Sequence, residues 1–131
     1  MNPSAKYVLP LLLLFLASCG LSTRGFQLAD GNCQCQRSFY FLISSDSPKL
    51  QAGTELALQG KYVTANQEFA SASAAGGDSE CYTLNNLGLV RMLQGDSRGA
   101  LKDLYEAHTL CPGDATIEDN LKNLLSRIPA S

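Results

Sequence analysis

Hydrophobic residues form one continuous run near the start of the chain and fall at spaced positions farther on. Residues 7–16 (YVLPLLLLFL) are apolar except for the interruption at Pro10, and a single positive charge, Lys6, precedes them. This pattern is typical of an export signal, since a membrane-spanning helix needs about 20 apolar residues. The sequence therefore predicts a signal peptide and no retained transmembrane anchor.

Beyond Asp46 the apolar positions recur at helical spacing, and the pattern repeats. An offset of 35 residues superposes Leu58-Gln59-Gly60 on Leu93-Gln94-Gly95. It also aligns Gly53 with Gly88, Ala65 with Ala100, Phe69 with Leu104, and Ala72 with Ala107. Periods of about 20 to 50 residues are typical of solenoids, in which stacked units share a core. One more helix is predicted from the apolar positions Ile117, Leu121, Leu124, Leu125 and Ile128.

Composition excludes one class of function. The chain has 131 residues, and its ten Lys and Arg against twelve Asp and Glu give a formal net charge of −2. Removing residues 1–18 takes away Lys6 and leaves a charge of −3. Without a basic excess, nucleic-acid binding driven by counterion release is disfavoured. The length indicates one domain.

The residues with catalytic potential do not form a recognisable set. His108 is the only histidine, and the sequence has neither a nucleophile elbow nor a phosphate-binding glycine loop. We expect His108 at the surface near a helix C-terminus, and Asp103 with Glu106 on a solvated face. The sequence therefore predicts no enzyme, no cofactor and no small-molecule substrate.

The residues at the end of the apolar run, Leu16-Ala17-Ser18-Cys19, resemble the lipobox of bacterial lipoproteins. The resemblance implies cleavage after Ser18, lipid attachment to Cys19 and acylation of the new amino terminus. Gly20 stands where an Asp would favour retention in the inner membrane, so the resemblance implies an outer-membrane protein facing the periplasm. The alternative is an ordinary secretory signal with an incidental cysteine.

Residues 81–114 resemble the tetratricopeptide repeat (TPR), a helical hairpin, and they match it in length. The positions that match are Asn86-Leu87-Gly88, Leu93-Gln94-Gly95-Asp96, Ala100-Leu101, Leu104, Ala107 and Pro112. Residues 46–80 resemble a degenerate copy, with Gly76-Gly77 where a proline is usual, which implies a looser joint. The resemblance implies an all-α fold: a TPR-like α-solenoid of two helical hairpins, with residues 115–131 as the capping helix and tail.

Four residues are candidates for defining helix ends within this array. Gly95 permits the left-handed conformation that stops a helix, and Asp96 can then cap the next helix through its side-chain oxygen. Asp114 and Thr116 are both candidate caps for the last helix.

Residues 19–45 are expected to be a flexible tether between the lipid and the repeats, with residues 20–36 as a linker. The tether contains a short apolar cluster, Ser38-Phe39-Tyr40-Phe41-Leu42-Ile43. Such a cluster fits either a strand or one buried helical turn. It is expected either to pack under the first helix or to form a partner-binding patch.

Four cysteines remain after lipidation, and they allow three pairings in an exported, oxidised protein. In a TPR hairpin the start of helix A and the end of helix B lie together, so the resemblance favours a disulfide between Cys81 and Cys111. Cys33 and Cys35 then have several alternatives: a strained local ring, a bond to another chain, or a soft metal such as Cu(I). A further alternative is that each bridges to the repeats. We expect no metal site.

By analogy with TPR proteins, helix A residues line a concave face that binds partners. The predicted partner-binding residues are Tyr82, Asn85, Asn86, Leu89 and Met92, accompanied by Gln51 and Thr54 from the first unit. The alternative is ordinary surface or contact with the neighbouring unit. The resemblance implies an outer-membrane-anchored scaffold or adaptor that binds an envelope protein during assembly of a pilus, a secretion channel or the outer membrane. The alternative function is a small structural or metal-handling surface lipoprotein that uses Cys33 and Cys35.

Overall fold

The computed structural model of the chain describes residues 24–29, 36–74 and 79–129. These residues form two strands followed by five helices: β1 (Gly25–Ala29), β2 (Gln36–Tyr40), α1 (Pro48–Leu58), α2 (Tyr62–Ser73), α3 (Ser79–Leu93), α4 (Ser97–Leu110) and α5 (Ala115–Leu125). The fold is thus mostly helical, as expected, but it carries a small two-stranded sheet. The expectation of an all-α fold is wrong in that respect.

The helices pack mainly on their neighbours in the chain, and α1 also touches α3. The positions aligned by the 35-residue offset are equivalent in this packing: Ala65 and Ala100, Phe69 and Leu104, and Ala72 and Ala107 are all buried. A side chain on Gly53 would overlap the ring of Phe69, and one on Gly88 would lie 3.2 Å from Leu104. Both glycines therefore allow two helices to approach closely.

The predicted helix ends are present. Gly95 has a φ of 85°, and Gly60, 35 residues earlier, has a φ of 78°; both values lie in the left-handed region that glycine favours. Asp96 caps α4 by accepting a hydrogen bond from the Gly99 amide at 2.9 Å. Asp114 caps α5 by accepting bonds from the Thr116 and Ile117 amides. These caps satisfy amides that have no partner within their helix.

The last helix buries one side only. Ile117, Leu121 and Leu124 are buried, whereas Leu125 and Ile128 of the predicted apolar stripe are exposed. The first three side chains therefore close the core at this end of the array.

The structure brings Cys81 and Cys111 to disulfide distance, as the TPR resemblance implied. Their sulfurs lie 1.98 Å apart and their Cα atoms 6.0 Å apart. The bond joins the start of α3 to the end of α4 and lies beside Ala107 and Ile117 in a small apolar cluster.

The strands pair in an antiparallel hairpin, with Phe26 opposite Phe39 and Gly25 opposite Tyr40. Residues 25–29 and 36–45 are therefore not a flexible tether or linker. The reason is that alternation along a strand places Phe39 and Phe41 on one face, and both are buried in the main core. The signal peptide, Cys19, Cys33, Cys35 and Gly76-Gly77 lie outside the described residues.

Candidate functional site

The two edges of β2 have different partners. Along an antiparallel strand, every second residue directs its N–H and C=O groups to the same side. On the β1 side, the Phe41 amide, just past the end of β2, donates to the Arg24 carbonyl at 2.7 Å. The backbone groups of Ser38, Tyr40 and Leu42 bond instead to helix side chains. Residues 38–42 therefore lie between β1 and the helical array. We call residues 38–43 the docked segment.

Two asparagines hold this second edge. The Leu42 amide donates to Asn86 Oδ1 at 2.8 Å, and Asn86 Nδ2 donates to the Leu42 carbonyl at 2.7 Å. Asn120 binds Tyr40 in the same way, with distances of 2.9 and 2.8 Å. Each carboxamide thus offers one acceptor and one donor to a single residue, as a neighbouring strand would. The helices complete the sheet with side chains.

The asparagines are fixed by one another. Asn120 Nδ2 also donates to Asn85 Oδ1 at 2.8 Å, and Asn85 Nδ2 donates to Asn86 Oδ1 at 3.1 Å. All three residues are fully buried. Asn123 adds a bond from its Nδ2 to the Ser38 carbonyl at 2.9 Å. Because a buried polar network is strong only when its members are paired, these bonds fix the orientation of each carboxamide.

The two asparagines that bind residues 40 and 42 lie in alternate helices of the array. Asn86 in α3 and Asn120 in α5 are separated by the length of the second unit, and Gln51 in α1 lies 35 residues before Asn86. We call these three residues the carboxamide ladder. Gln51 is exposed, and its Nε2 donates to Glu55 Oε1 at 3.1 Å.

Aromatic side chains fix the opposite face of the docked segment. Phe39 is fully buried and stacks on Phe26 with ring centroids 5.4 Å apart. Phe41 is 2% exposed and stacks on Phe69 of α2 at 6.4 Å. Tyr40 lies between them in sequence and remains 43% exposed. The site therefore accepts large apolar side chains at alternate positions of an extended chain.

We call the site formed by Asn86, Asn120, Asn123 and Phe69 around this segment the groove. One end of the groove is open. Ser44 and Ser47 form an isolated bridge that turns the chain into α1. Beside this turn lies an open cavity of about 500 Å³. Its wall consists of Arg24, Ile43, Gln51, Thr54, Glu55, Leu58 and Gln59. Most of the lining comes from α1, the helix whose ladder residue does not bind the docked segment.

Most of the predicted partner-binding residues are buried. Asn85, Asn86, Leu89 and Met92 are buried, and Asn85 and Asn86 bond to the backbone of Tyr40 and Leu42. Tyr82 is half-buried and packs against both apolar clusters. In this structure the four buried residues do not present a free surface, and partner binding by this set stays a prediction.

The two residues expected from the first unit differ. Gln51 is exposed and lines the cavity. Thr54 also lies at the cavity wall but is buried, and its hydroxyl donates to the Leu50 carbonyl at 2.8 Å.

Sequence reasoning missed Asn120 and Asn123, which were assigned only to a capping helix. The distance along the chain from Asn86 to Asn120 equals the length of the second unit, residues 81–114. That equality is the signal that identifies Asn120.

Asp103 was expected on a solvated face, but it is buried and pairs with Arg91 of α3 at 3.3 Å. Burial raises the pKa of Asp103 above its ordinary value of 3.8, and the Arg91 charge opposes that rise. The pair joins α3 to α4 away from the docked segment.

Other site chemistry is sparse in the part of the chain that the structure describes. Within residues 24–29, 36–74 and 79–129, no three metal-ligating side chains lie together. No helix in those ranges is long and apolar enough to cross a membrane. His108 lies in the last turn of α4. These observations leave the groove as the feature with the clearest binding chemistry.

Comparison of the chain with protein-family models, curated proteins and solved structures found no match.

Proposed function

We propose that this protein is an outer-membrane lipoprotein whose TPR-like solenoid serves as an adaptor for an envelope protein partner. One observation carries the proposal: Asn86 and Asn120 each bind both backbone groups of one residue in an extended segment. An array that holds its own extended chain in this way has the chemistry to hold another.

Several equivalences support the TPR-like architecture. Gly60 and Gly95 end corresponding helices in the left-handed conformation. Gly53 and Gly88 lie at corresponding close contacts between helices. The ladder residues recur once in each unit, and α1 touches α3, as first helices of successive hairpins do in a stacked array. α5 then serves as the first helix of an incomplete third unit.

The proposed lipid at Cys19 would hold the array close to the membrane. Five residues lie between Cys19 and Gly25, the first residue of β1, so the two ends of this stretch are at most about 20 Å apart. Tyr40 in β2 bonds to α5, and Leu42 just past β2 bonds to α3, so the hairpin connects the proposed anchor to the helices. Two or three acyl chains make such an anchor nearly irreversible.

The anchor is tested by replacing the modified thiol. Wild-type protein expressed with labelled palmitate should incorporate the label and fractionate with outer membranes. The Cys19→Ser variant should incorporate none and should lose its membrane association. A membrane-bound variant, or an unlabelled wild type, would contradict the lipoprotein assignment.

The adaptor role is tested by photo-crosslinking from the open end of the groove. A photoreactive residue at Gln51 should crosslink one defined envelope protein in intact cells. Tyr105, which is 48% exposed on α4 and lies outside the cavity lining, provides the control position. Equal crosslinking from both positions, or none from Gln51, would refute partner binding at the groove.

A further inference from the structure

We infer that the groove selects extended polypeptide segments with large apolar side chains at alternate positions, and that residues 38–43 are a resident occupant that such a segment displaces. The inference deepens the proposed adaptor role and rests on it for the partner's location. Its physical basis is the way in which the groove distinguishes backbone from side chain in its own segment.

The polar contacts of the groove are made to backbone atoms. Asn123, Asn120 and Asn86 bind main-chain groups of Ser38, Tyr40 and Leu42 respectively. Every peptide unit carries such groups, so these bonds fix the strand's position without selecting a sequence.

Selection among sequences comes from the side chains that the strand buries in the core. Phe39 and Phe41 belong to the main hydrophobic core, so a replacement segment must supply large apolar side chains at the same two positions. A charged side chain there would be buried without a partner, at a high cost in free energy. The position between them tolerates variation, because Tyr40 is 43% exposed. This pattern has a period of two, which is that of a β-strand and not of an amphipathic helix.

A partner can make a contact that the resident segment does not make. The chain turns at Ser44 and Ser47 into α1, so it binds two members of the ladder and leaves Gln51 outside. Ile43, Gln51 and Leu58 line the same cavity, so a segment that continues past the position of Ile43 can enter the cavity that Gln51 lines. A contact there would act against the high effective concentration of the tethered occupant.

The test compares two substitutions at one position of the resident segment. Tyr40→Pro removes the amide that donates to Asn120 Oδ1, while β1 pairing does not use that amide. Tyr40→Thr removes the same exposed side chain but keeps the amide. Neither variant alters a groove residue.

The probe is a fluorescently labelled peptide with the sequence of residues 36–43, and its binding is followed by anisotropy with full-length mature protein. The Tyr40→Pro variant should bind the peptide at least about tenfold more tightly than Tyr40→Thr, because the resident segment occupies the groove for less of the time. Wild type and Tyr40→Thr should agree within about threefold. Equal binding by all three proteins, or by none, would overturn the inference.

Peptide variants test the alternation. A peptide carrying Phe39→Asp or Phe41→Asp should lose at least about tenfold in affinity, whereas Tyr40→Asp should have little effect. A similar loss from all three changes would refute selection at alternate positions. Extending the peptide by two residues at its C-terminus should tighten binding to Tyr40→Pro, and Gln51→Ala in that background should abolish the gain; no gain would refute the contact with Gln51.

Hydrogen exchange on the wild-type protein keeps the inference testable if Tyr40→Pro does not fold. Saturating peptide should speed amide exchange at Tyr40 and Leu42 and leave α4 unchanged. Unchanged exchange at those amides would overturn displacement. If the wild type forms a concentration-dependent dimer that peptide dissociates, the occupant is a second copy and the assignment to a partner is wrong. If these binding tests fail, palmitate labelling and crosslinking from Gln51 still test the proposed adaptor role independently.

Discussion

Asn120 makes two hydrogen bonds to the docked segment, as Asn86 does, so its removal gives a sharp test of the docking. The Asn120→Leu variant keeps a side chain of similar size but loses three hydrogen bonds, two to Tyr40 and one to Asn85. At about 1 kcal/mol for each bond, the free energy of unfolding should fall by about 3 kcal/mol. This is a large fraction of the roughly 5–15 kcal/mol that stabilises a typical domain.

The matched control is Asn123→Ala, in the same helix as Asn120. It loses a single bond, to the Ser38 carbonyl. Its free energy of unfolding should fall by about 1 kcal/mol. Urea unfolding followed by far-ultraviolet circular dichroism, with the disulfide intact, measures both values. With a slope of about 1.5 kcal/mol per molar, the midpoint should shift by about 2 M for Asn120→Leu and by about 0.7 M for Asn123→Ala. Equal shifts would refute the view that paired carboxamide bonds hold the segment.

Three further predictions concern the helical array. Gly53→Ala places a methyl group against the Phe69 ring and should lower the free energy of unfolding by about 1–3 kcal/mol, measured in urea; an unchanged midpoint would show that the ring can move aside. Replacing Cys81 and Cys111 together by serine removes a cross-link over 30 residues and should cost about 3.5 kcal/mol while circular dichroism shows the helices retained. Because burial raises the pKa of Asp103, the folded state holds a proton that the unfolded chain has released, so stability falls as pH rises from about 4 through the folded pKa. The Asp103→Asn variant should lack that fall, and parallel pH dependences of the two unfolding midpoints would contradict this assignment.

The docked segment changes the interpretation of the concave face. A face lined by Asn85, Asn86 and Leu89 was expected to be open to partners, but the first part of the chain covers it. In this structure Asn85 and Asn86 bind backbone groups of the protein's own extended segment. Under the proposed adaptor role, a partner would displace that segment or bind at the open end beside Gln51.

The repeat was predictable because it is local and periodic. An offset of 35 residues identified positions such as Ala65 and Ala100 that are buried in equivalent places, and the caps at Asp96 and Asp114 follow from short-range chemistry. The pairing of Cys81 with Cys111 followed from the TPR resemblance, in which the two ends of one helical hairpin lie together. Each of these features depends on residues within one helical hairpin or at one helix end.

The hairpin was less predictable, since its strands have five residues each and so short an apolar cluster fits either a strand or a helical turn. Its position depends on contacts between residues that are far apart in the chain. Tyr40 and Asn120 are separated by 80 residues, and Ser38 and Asn123 by 85. No local pattern specifies a hydrogen bond over that separation, because it forms only once the intervening helices have stacked.

The sequence by itself thus determined the helices, their ends and the repeated pattern, since each is set by neighbours along the chain or by periodicity, whereas the cysteine pair came from the resemblance to a TPR hairpin. Only the tertiary structure decided that Asn86 and Asn120 bind one extended segment, and that Phe39 and Phe41 of that segment complete the core. The physical reason is that an asparagine side chain can face solvent and bind a partner, or be buried and bind the protein's own backbone. Which of these it does depends on the segment that packs against it.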